Sequence, residues 1–160
     1  MLTTQQTRHS HRSNGLTIIE LAMVFAIIAV LSTISIPVYR NYAERHKQRI
    51  AIAEINMLEA GIQRFKTEYH SLPASLNGIV DSVSNDPWGH PYEYLNMQSG
   101  DPGIDGKRRK DKNLVPINSD YDLYSKGPDG DTRAPLTAPQ SRDDIVRAND
   151  GAYVGIASDY

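Results

Sequence analysis

From position 16 to position 38 the chain reads LTIIELAMVFAIIAVLSTISIPV, apolar almost throughout. A helix rises about 1.5 Å per residue, and roughly 20 apolar residues cross the hydrocarbon layer of a membrane, so this stretch is long enough to span. Charges follow at Arg40, Glu44, Arg45 and Lys47. The pattern then changes. Ala51, Ile55, Leu58, Ile62, Phe65 and Tyr69 recur at alternating spacings of four and three, which predicts one apolar face of an amphipathic helix. Glu54, Glu59, Arg64, Lys66 and Glu68 fall on other faces, so the stripe reads as a core-facing surface rather than a cofactor site. The two halves join into one predicted helix from about Leu16 to Tyr69, interrupted only by Pro37.

Ser71, Leu72 and Pro73 stop this helix. A short helical turn is expected over 74–80 and a tight turn over 85–89 (NDPWG). Three short strands are predicted at 91–95 (PYEYL), 121–125 (YDLYS) and 152–157 (AYVGIA), with a loop over 100–112. The fold class is therefore α+β: a long N-terminal helix, membrane-spanning and then amphipathic, packed on a small antiparallel sheet. The organisation is a leader over 1–15, a membrane helix over 16–38, an amphipathic half over 39–70, and a small sheet domain over 71–160 with an acidic loop at 126–145.

Charge sharpens the two ends. Arg8 and Arg12 stand in an acid-free leader, and removing them takes the formal charge from −2 to −4. A mildly acidic body does not suit nucleic acid. Both flanks of the apolar run are basic, so orientation rests on the acid-free leader, which favours a cytoplasmic N-terminus. An ordinary secretory signal has a shorter apolar region closed by an Ala-x-Ala site, whereas ISIPV stands at 34–38. The basic segment 107–112 (KRRKDK) has no interleaved aromatics. It reads as a solvated loop or as a salt contact with acids of a neighbouring subunit. There is no cysteine, which excludes disulfides, thiolate metal sites and a cysteine nucleophile. No phosphate-binding loop, nucleophile elbow or His-Glu-x-x-His motif is present, and the histidines are scattered, so an enzyme is not expected.

Glu20 is the anomaly of the apolar run. An ionised carboxylate near the centre of a membrane helix costs roughly 3 kcal/mol or more unless it is paired. Either it lies close enough to the interface to stay wet, or it has a partner. The α-amino group created by a cut before Leu16 lies one turn away, or reaches it from a neighbouring subunit. On that reading the carboxylate is uncompensated before the cut, which disfavours assembly. Pro37 removes a backbone hydrogen bond to Thr33, and Ser32, Thr33 and Ser35 are available to satisfy freed carbonyls. It is either a plain membrane-helix proline or a place where the helix bends.

Gly15, Leu16, Glu20 and Pro37, in this order and spacing around an unbroken apolar run, resemble the processing site of type IV prepilins and type II secretion pseudopilins. The resemblance implies cleavage between Gly15 and Leu16 by a prepilin peptidase and N-methylation of Leu16, where the family usually has Phe. It also implies roles for Glu20 and Pro37 in filament assembly. The segments 86–89 (DPWG), 125–130 (SKGPDG) and 141–145 (SRDDI) resemble those of the major pseudopilin of type II secretion. From composition alone, the acidic loop is either solvated or a calcium site. The resemblance implies calcium, held by the carbonyls of Lys126 and Asp131, the carboxylates of Asp129 and Asp143, and the Ser141 side chain, with Asp144 beside them. The chain departs from the family in a longer stretch at 132–140, an insertion over 107–118 and a longer tail after Ile145.

What the resemblance implies for function is a structural subunit, self-associating into a periplasmic pseudopilus that supports protein secretion across the outer membrane. The subunit would start in the bacterial inner membrane as a single-pass protein with a periplasmic C-terminal domain. Its partners would be a prepilin peptidase, an inner-membrane platform and minor pseudopilins. The alternatives are a type IV pilin forming a surface filament and, from a different class, a membrane-tethered enzyme.

Overall fold

A computed structural model of the chain describes residues 15–81, 85–112 and 114–160. The leader with Arg8 and Arg12 lies outside the described residues up to Gly15. The chain divides into two compact units, one ending at Asn41 and the other beginning at Tyr42.

Helix α1 spans Ile18–Tyr69, 52 residues, as the apolar and amphipathic patterns require together. In the first unit its apolar side chains are exposed, and none of the most apolar stretch is buried. The helix runs through Pro37 without interruption. Ser32 and Thr33 do not turn to the carbonyl that Pro37 leaves free. Their hydroxyls donate to the carbonyls of Ile28 (2.7 Å) and Val30 (2.6 Å), within their own turn.

In the second unit the predicted stripe packs as a core. Ala51, Ile55, Leu58 and Ile62 are buried against Leu72, Ile79, Tyr92, Tyr121, Leu123 and Ile145. The stripe fades toward its end: Phe65 is partly buried, and Tyr69 is exposed with its ring 4.5 Å from that of Phe65. Gly61 allows the segment around Ile79 to lie close on the helix, since a Cβ there would stand 2.7 Å from the Ile79 side chain. The segment 74–80 forms bends and turns rather than a helix.

The sheet has four strands, β1 (Glu93–Asn96), β2 (Tyr121–Ser125), β3 (Ile145–Ala148) and β4 (Tyr153–Ile156). They pair antiparallel in the order β1-β2-β3-β4. A four-residue helix α2 (Ile104–Lys107) opens the long connection from β1 to β2. Strand β3 is the element the sequence reading lacked. All four of its residues are buried, so the polar-apolar alternation that marks a half-exposed strand is missing. Ile145 packs in the helix-side core, while Val146 and Ala148 join Ile117, Leu136 and Ala157 in a second core. The second core is built from the insertion, the acidic loop and the tail.

Candidate functional site

Two places gather the residues the sequence singles out: the N-terminal junction and the acidic loop.

At the junction, Thr17 and Glu20 form a reciprocal cap on the start of α1. The backbone N–H and the hydroxyl of Thr17 both donate to Glu20 Oε2 at 2.8 Å, and the Glu20 N–H reaches back to Thr17 Oγ1 at 3.3 Å. This is the Thr-x-x-Glu capping box, which satisfies free N–H groups at a helix start. The Glu20 carboxylate is thus hydrogen-bonded within its own turn. The signal was in the sequence, in the three-residue spacing of Thr17 and Glu20. Gly15 and Leu16 precede the helix in irregular backbone, with Leu16 79% exposed.

In the second unit, the three segments that carry the resemblance come together. Asp86 is buried, and its Oδ1 accepts from the N–H groups of Trp88 (3.1 Å) and His90 (2.8 Å), closing the DPWG turn. Its other oxygen accepts from the Ser125 hydroxyl at 2.6 Å. Ser125 Oγ in turn accepts from the Gly127 N–H (3.0 Å), and His90 Nδ1 lies 3.1 Å from the Gly127 carbonyl. The Trp88 indole donates to Glu44 of α1 at 2.7 Å. The turn, the end of β2 and the helix are thus tied by one polar chain.

Gly127 then meets the third segment. Its φ is +66°, and a Cβ would stand 2.5 Å from the Asp143 carbonyl oxygen. Both the backbone conformation and the close approach call for glycine. We expect Gly127→Ala to destabilise the folded body by about 1–3 kcal/mol, measured by denaturant unfolding.

Asp143 and Asp129 face the same turn. Burial holds the Asp143 carboxyl above its usual range, and the negative charges of Asp129 and Glu44 add to this. Asp129 is exposed, and one of its oxygens accepts from the Asp131 N–H at 2.9 Å. The Asp131 carboxylate points to the Thr132 N–H (2.9 Å), and the Lys126 ammonium pairs with Glu93 (2.5 Å).

Ser141 does not join this group. It is fully buried, donates to the Arg133 carbonyl (2.7 Å) and accepts from the Arg133 N–H (2.8 Å). Its place is in a different cluster, around Arg109 and Asp144. There the Arg109 guanidinium donates to Thr132 Oγ1, to the Arg133 carbonyl and to Asp144 Oδ2. Burial raises the Asp144 carboxyl, opposed by its bonds to Thr132 and Arg109. Of the expected calcium donors, Ser141 thus bonds to Arg133, while the Asp129 and Asp143 carboxylates stand at the Gly127 turn. Among the described residues, no three acidic or histidine side chains form a metal-holding group.

The basic segment also departs from its expected solvated state. Lys107, Lys110 and Lys112 are exposed, but Arg109 is 2% exposed. The reason is the supply of acceptors around it, which no local pattern in KRRKDK announces. The buried Arg147, with the half-buried Asp120 and Glu59, forms a second cluster that sequence reasoning missed for the same reason.

No protein-family model matches the chain, and no solved structure does. Curated relatives do match over most of its length. Type II secretion system core protein G of Pectobacterium carotovorum is 24% identical over 160 residues, covering 87% of this chain and 86% of that protein. The protein of the same name from Escherichia coli K12 is 25% identical, covering 78% of this chain and 88% of its own length. The one from Pseudomonas aeruginosa is 24% identical, covering 74% and 86%. The similarity has a physical content in the residues around Gly15 and in the three joined segments: along most of its length this chain resembles type II secretion system core protein G, the major pseudopilin.

Proposed function

We propose that this chain is a structural subunit of a periplasmic pseudopilus supporting protein secretion across the outer membrane. The observation that carries this reading is the apolar half of α1, which has no burial of its own and begins at the Gly15 junction of a chain similar to core protein G. A surface that apolar is stable in lipid or against the same surface of other copies, and the two environments correspond to subunit and fibre.

On this reading a prepilin peptidase cuts between Gly15 and Leu16 and methylates the new amine. The subunit waits in the inner membrane with its sheet domain in the periplasm. It then enters the fibre through the inner-membrane platform, beside minor pseudopilins. The chain acts by assembly rather than catalysis. Pro37 lies where the helix would yield when packed among other copies.

Mass spectrometry of the mature protein tests the proposal. The expected N-terminus is methylated Leu16. A start at Met1, or a cut beyond Pro37, overturns it. In cells lacking the chain, secretion should fail and return on complementation. Surface filaments lost without a secretion defect would instead identify a pilus.

A further inference from the structure

We infer that the guanidinium of Arg109 is the cation that closes the acidic loop, so that closure of the loop in this chain does not depend on bound calcium.

The loop leaves β2 at Ser125 and returns at β3, where the pairing of Ser125 with Ile145 holds its ends. Arg109 ties the middle of the loop to its far end. One terminal nitrogen donates to Thr132 Oγ1 and to the Arg133 carbonyl, each at 2.6 Å. The other donates to Asp144, one residue before β3 begins. Thr132 Oγ1 also donates to Asp144 at 2.6 Å, so the middle and the far end of the loop share one carboxylate oxygen. The guanidinium stacks over the Tyr124 ring of β2 at 4.4 Å. A planar fork of fixed donors suits this task better than a point charge.

The insertion that carries Arg109 is itself anchored to the loop. The Lys110 N–H donates to the Ala134 carbonyl (3.0 Å), and the Leu136 N–H donates to the Lys110 carbonyl (2.8 Å). The Arg109 N–H donates to Asp122 of β2 at 2.7 Å. The lengthened loop and the insertion are thus one device: the extra residues of each bond the other.

The same arrangement removes donors from an ion. Calcium takes six to eight oxygens. Here Ser141 is spent on both backbone groups of Arg133, and the Arg133 carbonyl and Asp144 Oδ2 are spent on Arg109, while Asp144 Oδ1 is buried without a partner among the described residues. Asp129 and Asp143 remain, with the carbonyls of Lys126 and Asp131, without the serine.

The test uses the full chain in detergent micelles, with thermal unfolding followed by near-ultraviolet circular dichroism in calcium and in chelator. It stands or falls separately from the proposed function, since it reads the fold and not the fibre. We expect the natural chain to melt at the same temperature in both. Arg109→Met should lower Tm by about 10–20 °C in both conditions. Asp143→Asn, which leaves the Arg109 contacts in place, covers the case in which Arg109→Met fails to fold: it should melt at or above the natural Tm with or without calcium. A Tm that rises with calcium, and loses that rise in Asp143→Asn, overturns the inference. So does an Arg109→Met chain that melts like the natural one.

Discussion

Replacing Arg147 with methionine should cost the sheet domain about 3–5 kcal/mol, the range for breaking a buried ion pair by removing one partner. Arg147 of β3 is fully buried. Its Nε donates to Glu59 of α1 at 2.7 Å, and its terminal nitrogens donate to Asp120 at 2.9 and 3.0 Å. A further bond reaches the Tyr121 carbonyl at 3.2 Å, and the group lies over the Tyr121 ring at 4.0 Å. Burial alone would lower the pKa of the guanidinium, but the bonds to Asp120 and Glu59 outweigh it and raise it. Methionine fills much of the volume but leaves two carboxylates facing each other with no cation between them. Denaturant unfolding checks this. A loss below about 1 kcal/mol would mean that Glu59 and Asp120 simply turn to water, as exposed pairs do. The triple change Arg147→Met, Glu59→Gln and Asp120→Asn should recover much of the loss, because it removes the stranded charges along with their partner.

Glu20→Leu should leave the chain in the membrane but reduce assembled fibre at least about tenfold, equivalent to about 1.4 kcal/mol per added subunit. Leucine favours insertion, since it replaces a charge that is costly in hydrocarbon. On the proposed reading, what it removes is the partner for the amine of a cut N-terminus. The capping box requires a second variant. Glu20→Gln keeps an oxygen that accepts from Thr17, and so keeps the start of α1, but it carries no charge. If the ion pair drives assembly, Gln fails as Leu does. If cross-linked multimers form with Gln as with Glu, the cap is what matters, and the coupling of cleavage to assembly falls. Cross-linking of membrane fractions, with insertion checked by alkali extraction, reads both variants.

Several elements were legible because their signals are local. The strand at 121–125 sits where the aromatic alternation placed it. The β4 strand falls within the predicted 152–157, while β1 is shifted to 93–96 from the predicted 91–95. The stripe from Ala51 to Ile62 became the helix-side core. Segments with no local signal were missed. Strand β3 is buried on both faces and contains Arg147, so it reads as neither an alternating strand nor an apolar run. Ser141 carried a resemblance but turned to Arg133, because the residues between them bring the two side by side.

The sequence by itself determined the long helix, its division into an exposed apolar half and a core-facing half, the cap formed by Thr17 and Glu20 at its start, and the class of the fold. Each of these follows from hydrophobic spacing or from groups within a turn of one another. The tertiary structure alone decided where the buried charges go. Arg109 and Asp144 are 35 positions apart, and Arg147 and Glu59 are 88 apart. A buried charge is stable only beside its partner, and no periodicity in a chain encodes a partner that far away. For that reason KRRKDK looked like a solvated loop, and only the folded chain shows its second arginine inside the acidic loop.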